Sequence, residues 1–249
     1  VVATELKRAD EGQRKSWDEE GYVLLENAIT GDPLSRLQEA FERCSHESKP
    51  EWLEAVSEGR RSSSFFDIPD PLERDDAFVD MIDHGGTLGL LRDFLGEDMT
   101  FRGLGARTVP PCPISYVGWH PDVHRDRTPL HIKVQIYVND VGEDRGPFAY
   151  VPRSHLEGAG PYPRVKHLDA MPGHRTLPGK AGTAVMFNCY GWHTSMINRT
   201  LEPRKSLIIG YGVFDESEYA VDKKRKNDRY GALRERLSPK RKYLFGFDR

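Results

Sequence analysis

Three side chains in this sequence have the types and spacing to grip one metal ion. The segment Gly118-Trp119-His120-Pro121-Asp122-Val123-His124 lies among Pro110, Pro111, Pro113, Pro121 and Pro129, and that density of proline excludes a helix. In an extended chain residues i and i+2 point the same way. His120 and Asp122 then project from one face with their Cα atoms about 6–7 Å apart. A second histidine from another strand would complete a two-histidine, one-carboxylate triad covering one face of an octahedron. Such a site leaves three positions for reactants and suits iron(II) in oxygen chemistry. His-x-Asp alone is weak, because such tripeptides arise by chance. The segment Cys189-Tyr190-Gly191-Trp192-His193-Thr194-Ser195 supplies the second histidine, His193, and Arg204 follows eleven residues later. Two neighbouring antiparallel strands can deliver that spacing to one cavity. A buried guanidinium there would clamp a carboxylate through two parallel hydrogen bonds.

The elements that must position these groups change character near residue 100. Short β-type segments separated by Gly and Pro run near 101–109, 115–123, 130–138, 147–151, 183–187 and 205–213, which predicts an antiparallel sandwich or barrel. Residues 1–99 read as mostly helical, with one early strand at Tyr22-Val23-Leu24-Leu25. Asp32-Pro33 opens an amphipathic helix, carrying Leu34, Leu37 and Phe41 to about Cys44. Residues 59–75 read as a Ser- and Pro-rich loop whose Phe65 and Phe66 either cap a cavity or anchor into the core, the second being favoured. Residues 85–96 hold three glycines in neither dinucleotide-binding nor P-loop spacing, and read as a helix ending at Gly96. Residues 215–249 read as a helical segment. Lys223-Lys224-Arg225-Lys226 forms its solvated face, while Leu233, Leu237, Tyr243, Leu244 and Phe245 pack inward.

Composition narrows the class. With 37% hydrophobic and 30% charged residues in 249, the chain can bury a core as one domain, 1–249, and is not disordered. A net charge of -3 asks for neither nucleic acid nor an anionic membrane. No apolar run approaches the roughly 20 residues of a membrane helix, and no secretory leader is visible. Cys44, Cys112 and Cys189 stand apart, as reduced thiols of a cytoplasmic protein would. Cys189 has no second cysteine nearby to make a Cys/His metal set.

The order of these motifs resembles the phytanoyl-CoA dioxygenase family of iron(II)/2-oxoglutarate-dependent oxygenases. The resemblance starts at Trp17-Asp18-Glu19-Glu20-Gly21-Tyr22-Val23-Leu24-Leu25-Glu26-Asn27 and passes through His120-x-Asp122. It continues in Arg145-Gly146-Pro147-Phe148-Ala149-Tyr150-Val151-Pro152-Arg153-Ser154-His155, similar to the family's N-G-P-L…P-G-S-H stretch, and closes on His193 and Arg204. Arg145 and Arg153 stand where the family usually has Asn and Gly, which touches substrate preference rather than reaction class.

The resemblance implies a mainly β fold with helices, a double-stranded β-helix (jelly roll, cupin-like) with helices packed on one sheet, its core spanning 100–214. It implies iron(II) on His120, Asp122 and His193, with 2-oxoglutarate and dioxygen as cosubstrates and succinate and carbon dioxide released as a small organic molecule is oxidised. Arg204 would hold the distal carboxylate of 2-oxoglutarate, with Ser195 beside it. In Ile132-Lys133-Val134-Gln135-Ile136-Tyr137-Val138 the even positions are apolar and β-branched, which ordinarily places them inward. A jelly roll around a polar cosubstrate reverses this: counting back from Gly146, Gln135 resembles a family position touching 2-oxoglutarate. Lys133 would then share the cavity as a cosubstrate-binding candidate and need an anionic partner, a carboxylate of the cosubstrate, the substrate or a neighbouring acid, with Tyr137 on the same face. Arg107, Trp119, Tyr137 and His124 are the candidate substrate-pocket residues; a surface place for His124 and a structural hydrogen bond for His155 are the blander readings. Hydroxylation is the first expectation, with desaturation or rearrangement in natural-product chemistry as the alternative. A halogenase would lack the carboxylate ligand that Asp122 provides. A non-catalytic cupin-like metal module would have no use for Arg204, and a zinc hydrolase would want a general-base motif such as H-E-x-x-H. The expected partners are a small-molecule substrate, no nucleic acid and no membrane, with a homodimer left open.

Overall fold

The computed structural model describes residues 6–111, 117–215 and 228–248. Helices dominate the start. Asp10 caps α1 (Glu11–Glu20), its side chain accepting from Gln13 N while Gln13 returns the bond, and Gly21 ends the helix in the left-handed region at φ 88°. The strand β1 (Tyr22–Leu25) follows. Next, α2 spans Gly31–Ser57, starting at Thr30 rather than Asp32 and outrunning the expected stop near Cys44. It continues through Pro50 because its second half still buries surface: Ala55 is enclosed, and the Trp52 ring packs 5.5 Å from Phe66. That packing outweighs the local cost of proline.

The stretch 59–75 is not all loop. It contains β2 (Phe66–Ile68) and the short helix α3 (Pro71–Arg74), and Phe66 is buried in the main core, as an anchor rather than a lid. After α4 (Asp76–Asp80), α5 (Gly85–Leu95) ends at Gly96 as its sequence indicates. The β region comprises β3 (Thr100–Val109), β4 (His131–Tyr137), β5 (Phe148–Tyr150), β6 (Arg175–Leu177), β7 (Ala184–Asn188), β8 (His193–Ser195) and β9 (Arg204–Gly212). The C-terminal α6 (Pro239–Phe245) starts at the cap Ser238.

These strands form two antiparallel sheets, one of six strands in the order β1-β7-β4-β9-β3-β2 and one of three, β6-β5-β8. The arrangement is a double-stranded β-helix with the helices on the larger sheet. Alternation decides what each face does. Ile132, Val134 and Ile136 of β4, Leu207 and Ile209 of β9, and Leu104 and Ala106 of β3 join the main core with residues of α2, α5 and α6. Leu233, Leu237, Leu244 and Phe245 also enter that core, whereas Tyr243 stays exposed with its hydroxyl donating to Asp98. The opposite face of β4, β9 and β3 looks toward the small sheet and bounds the cavity described below. The tetrad Lys223–Lys226 and Cys112 lie outside the described residues, while Cys44 and Cys189 are buried free thiols.

One expected strand is corrected. Of 115–123, residues 117–123 form a loop with a single bridge, His120 to His193. Pro121 has no N–H to give a ladder, and within 117–123 the register at His120 is what survives. His193 does lie on a strand, but β8 pairs with β5 in the small sheet whereas β9, with Arg204, belongs to the large one, so the expected neighbouring of the two strands is corrected; β6 lies outside the expected β segments.

Candidate metal centre

His193 opens β8 and is only 6% exposed, with the rings of Phe187 and Phe148 centred 4.7 and 5.5 Å from its own. A reciprocal backbone pair fixes His120 against it: His120 N donates to His193 O at 3.1 Å and His193 N to His120 O at 3.0 Å. Two residues on, Asp122 N donates to Cys189 O at 2.9 Å. The loop is thus held at both ligand candidates without being a strand. Its far end is tied down where Arg125 donates to His155 O and Tyr190 Oη donates to Thr128 O. Gly191 is required just before His193, because a Cβ there would lie 1.7 Å from the Tyr150 hydroxyl.

Nδ1 of His120 donates to Gly118 O at 2.8 Å and Nδ1 of His193 to Gly191 O at 3.0 Å. With Nδ1 carrying the proton, Nε2 of each ring presents its lone pair inward. The carboxylate of Asp122 meets them, with Oδ2 3.3 Å from His193 Nε2 and Oδ1 3.9 Å from His120 Nε2. All the candidate ligand atoms lie within 4.8 Å of one another, and among the described residues no other group of His, Cys, Asp and Glu is so arranged. Oδ2 of Asp122 is buried with no hydrogen-bond partner. Lone pairs facing one another around an orphaned carboxylate oxygen fit a divalent cation, which would satisfy all three donors. Burial opposes ionisation of Asp122, but His193 and then the Lys133 ammonium outweigh it, holding the carboxyl well below the usual carboxylate range. Burial, followed by the neighbouring His193, lowers the His120 pKa and favours the neutral form a metal requires.

The triad opens on a cavity of about 320 Å³. Arg204 lies outside that lining and is fully buried; its Nη1 donates to Gly146 O and to Oγ of the lining residue Ser195, each at 2.6 Å, while Nε and Nη2 have no partner. A buried cation left with two unmade hydrogen bonds is costly unless an anion completes it. Gly146 is at φ 63°, and a Cβ on it would sit 2.8 Å from Met196 O, so this turn around Arg204 needs glycine. Gln135 lines the same cavity, 4% exposed, with Nε2 unpartnered. Lys133 lines it too, its Nζ 2.6 Å from Asp122 Oδ1. The polar face of β4 therefore looks inward. Arg107 lies on another wall, donating through Nε and Nη2 to the two oxygens of Asp67 at 2.7 and 2.6 Å, with its guanidinium 4.3 Å from the centre of the Phe65 ring.

Three sequence candidates lie elsewhere. Trp119 packs with Ala149, Val151, Met171 and Met196 and donates to Leu168 O at 2.7 Å, outside the cavity lining. Tyr137 shares the inward face of β4 but is fully buried beyond the cavity, donating to Leu177 O at 2.6 Å and accepting from Phe148 N at 3.0 Å. Burial pushes its phenol up to about 12. His124 is exposed on the loop after Asp122, and His155 makes a structural bond from Nε2 to Asp18 O at 3.2 Å. No local pattern marks Asp67, whose role comes from pairing opposite Arg107 across β2 and β3, or the wall residues Phe148, Phe187 and Ile208. Arg153, where the resemblance expects Gly, takes the left-handed conformation at φ 67°, which explains the usual glycine.

The chain is similar in sequence and in fold to known proteins. The ectoine dioxygenase of Bordetella bronchiseptica is 23% identical over 253 aligned positions, covering 87% of this chain and 80% of that protein. Among solved structures, the α-ketoglutarate-dependent carbocyclase SnoK from nogalamycin biosynthesis superposes with a TM-score of 0.64 at 17% identity, covering 86% of this chain and 88% of its own. HygX from Streptomyces hygroscopicus, solved with nickel, 2-oxoglutarate and hygromycin B, gives 0.61 at 15% identity over 82% and 88%. At these identities the two structures establish the fold. The profile of the phytanoyl-CoA dioxygenase (PhyH) family matches residues 17–206, and the chain belongs to that family of iron(II)/2-oxoglutarate-dependent dioxygenases.

Proposed function

We propose that this enzyme hydroxylates a small organic molecule, with His120, Asp122 and His193 holding the iron and Arg204 the distal carboxylate of 2-oxoglutarate. The observation that carries the reading is Arg204: a fully buried guanidinium with Nε and Nη2 unpartnered, bonded to Ser195, which lines the cavity that holds the triad. A non-catalytic metal module would have no reason to keep that charge out of water. Asp122 in the third ligand position supports oxygenation over halogenation.

In this reading bound iron supplies the redox chemistry: dioxygen is reduced as 2-oxoglutarate loses carbon dioxide to become succinate. The chain contributes position. The imidazoles of His120 and His193, held through Nδ1, and the carboxylate of Asp122 would hold the iron. Arg204 receives the far end of the cosubstrate, with Ser195 Oγ at its side, and Gln135 Nε2 can donate to the same molecule. Phe148, Phe187 and Ile208 line the cavity with apolar surface, which limits water around the reacting centre. Arg107, oriented by Asp67 and Phe65, is the polar group we assign to the substrate. The buried thiols Cys44 and Cys189 suit a reducing, cytoplasmic setting, and no helix among the described residues is long and apolar enough to cross a membrane.

The test is incubation of the iron-loaded protein with 2-oxoglutarate and a panel of small molecules, reading succinate and product mass. Iron-dependent succinate release coupled to gain of one oxygen is expected. Loss of two hydrogens would replace hydroxylation with desaturation, and absence of iron-dependent succinate would refute the assignment.

A further inference from the structure

Among the cavity residues Lys133 stands out, because its ammonium is directed at a metal ligand rather than into open space. It lies on the inward face of β4, opposite Gly210 of β9 and Phe187 of β7. Gly210 contributes no side chain on that flank. Lys133 Nζ reaches Asp122 Oδ1 at 2.6 Å, with the two side chains 34% and 15% exposed.

The two oxygens of Asp122 are therefore unlike. Oδ1 is engaged by the ammonium, whereas Oδ2 is buried, unpartnered and turned toward His193 Nε2. A carboxylate ligating through both oxygens would occupy two metal positions. In a facial triad that would leave two open, enough for a keto-acid chelate but not for dioxygen as well.

We propose that Lys133 is a positioning residue for Asp122: its ammonium retains Oδ1, so that Asp122 meets the metal through Oδ2 alone and three positions stay open. This rests on the assignment of His120, Asp122 and His193 as the metal ligands. It differs from a role for Lys133 as a contact to 2-oxoglutarate, since the lysine acts through a ligand and its effect exists before any cosubstrate arrives.

Cobalt(II) provides a readout independent of turnover. The wild type, Lys133→Met and Lys133→Gln are each titrated with Co(II), first alone and then with 2-oxoglutarate, following the visible d–d bands. All three take up one equivalent, since the ligands are unchanged. Lys133→Met shows altered bands before 2-oxoglutarate is added, while its affinity for the cosubstrate stays within a few-fold of the wild type's, since two open positions suffice for the keto-acid chelate. Lys133→Gln, a neutral donor, returns the cosubstrate-free spectrum toward that of the wild type. A Lys133→Met spectrum identical to the wild type before 2-oxoglutarate is added overturns the proposal. If affinity for 2-oxoglutarate alone has then dropped, Lys133 is a cosubstrate contact; if only the melting temperature has dropped, its role is structural. A Gln variant that behaves like Met also overturns the tether, leaving charge as the cause. Failure of the wild type to bind cobalt would instead strike at the metal assignment beneath it.

Discussion

Replacing Arg204 with methionine separates what this residue does for the fold from what it does for 2-oxoglutarate. Methionine keeps much of the length and apolar bulk while removing the charge. In the cosubstrate-free protein Arg204 makes two hydrogen bonds through Nη1 and leaves Nε and Nη2 unsatisfied. Its removal relieves a buried charge but deprives Gly146 O and Ser195 Oγ of their donor, a loss of about 1–3 kcal/mol. The two effects oppose, so the stability of Arg204→Met should stay within about 2 kcal/mol of the wild type. For 2-oxoglutarate nothing offsets the change. Two charge-assisted bonds at about 1.5–3 kcal/mol each amount to about 3–6 kcal/mol, or roughly 10²–10⁴-fold in affinity at about 1.4 kcal/mol per decade. Calorimetric titration of the manganese-loaded protein with 2-oxoglutarate measures this directly, and pyruvate, which keeps the keto-acid end but has no distal carboxylate, is the control. Pyruvate should bind both proteins equally. The thermal stabilisation that 2-oxoglutarate gives the wild type, about 2.7 kcal/mol at a hundredfold excess over its Kd, should fall to about 0.4 kcal/mol or less in the variant at the same concentration. Equal affinity of the two proteins for 2-oxoglutarate would refute the assignment of Arg204.

Three further outcomes follow from the geometry. Gly191→Ala places a Cβ 1.7 Å from the Tyr150 hydroxyl, so the buried Tyr150 ring or the backbone before His193 must shift; thermal denaturation should show a loss of about 1–3 kcal/mol, and an unchanged melting temperature would show that the site accommodates a side chain. Lowering of the His120 pKa below 6.5 means its imidazole stays neutral down to somewhat below that value, while Asp122 stays ionised well below 3.8. The folded-state preference for neutral His120 and charged Asp122 is fully present at neutral pH; the His120 part fades first as pH falls through 6.5 and the Asp122 part only below 3.8. Dialysis of cobalt-loaded protein should therefore show metal retained at neutral pH and lost on acidification, and loss that begins above neutrality would contradict this. With Asp122 in place, turnover in chloride-rich buffer should yield a product free of chlorine, which the isotope pattern of the product ion would reveal.

How far the sequence carried the reading depends on what each inference needed. The shared direction of His120 and Asp122, which meet His193 in one group, was legible from local spacing, because side-chain direction at i and i+2 survives wherever the backbone is extended. It survives here without a strand: the bonds from Asp122 N and Val123 N to Cys189 O hold the segment extended after one bridge. The inward turn of Lys133 and Gln135 was not legible from alternation alone, which pointed the other way; it needed the jelly roll, whose helices claim the apolar face of β4. Trp119 and Tyr137 show the limit of that argument. Both lie near the motif, but an indole N–H and a phenol O–H need buried acceptors, and Leu168 O and Leu177 O provide them away from the cavity. The extension of α2 past Pro50 and the pairing of Asp67 with Arg107 depend on contacts between segments distant in sequence, which no local pattern records.

The central claim is that one iron(II) ion sits on His120, Asp122 and His193. Anomalous diffraction at the iron edge, from crystals prepared anaerobically with iron(II) and 2-oxoglutarate, tests it directly. The account predicts a single peak about 2 Å from Nε2 of both histidines and from Oδ2 of Asp122. A peak at other residues, or none at this triad, would contradict it.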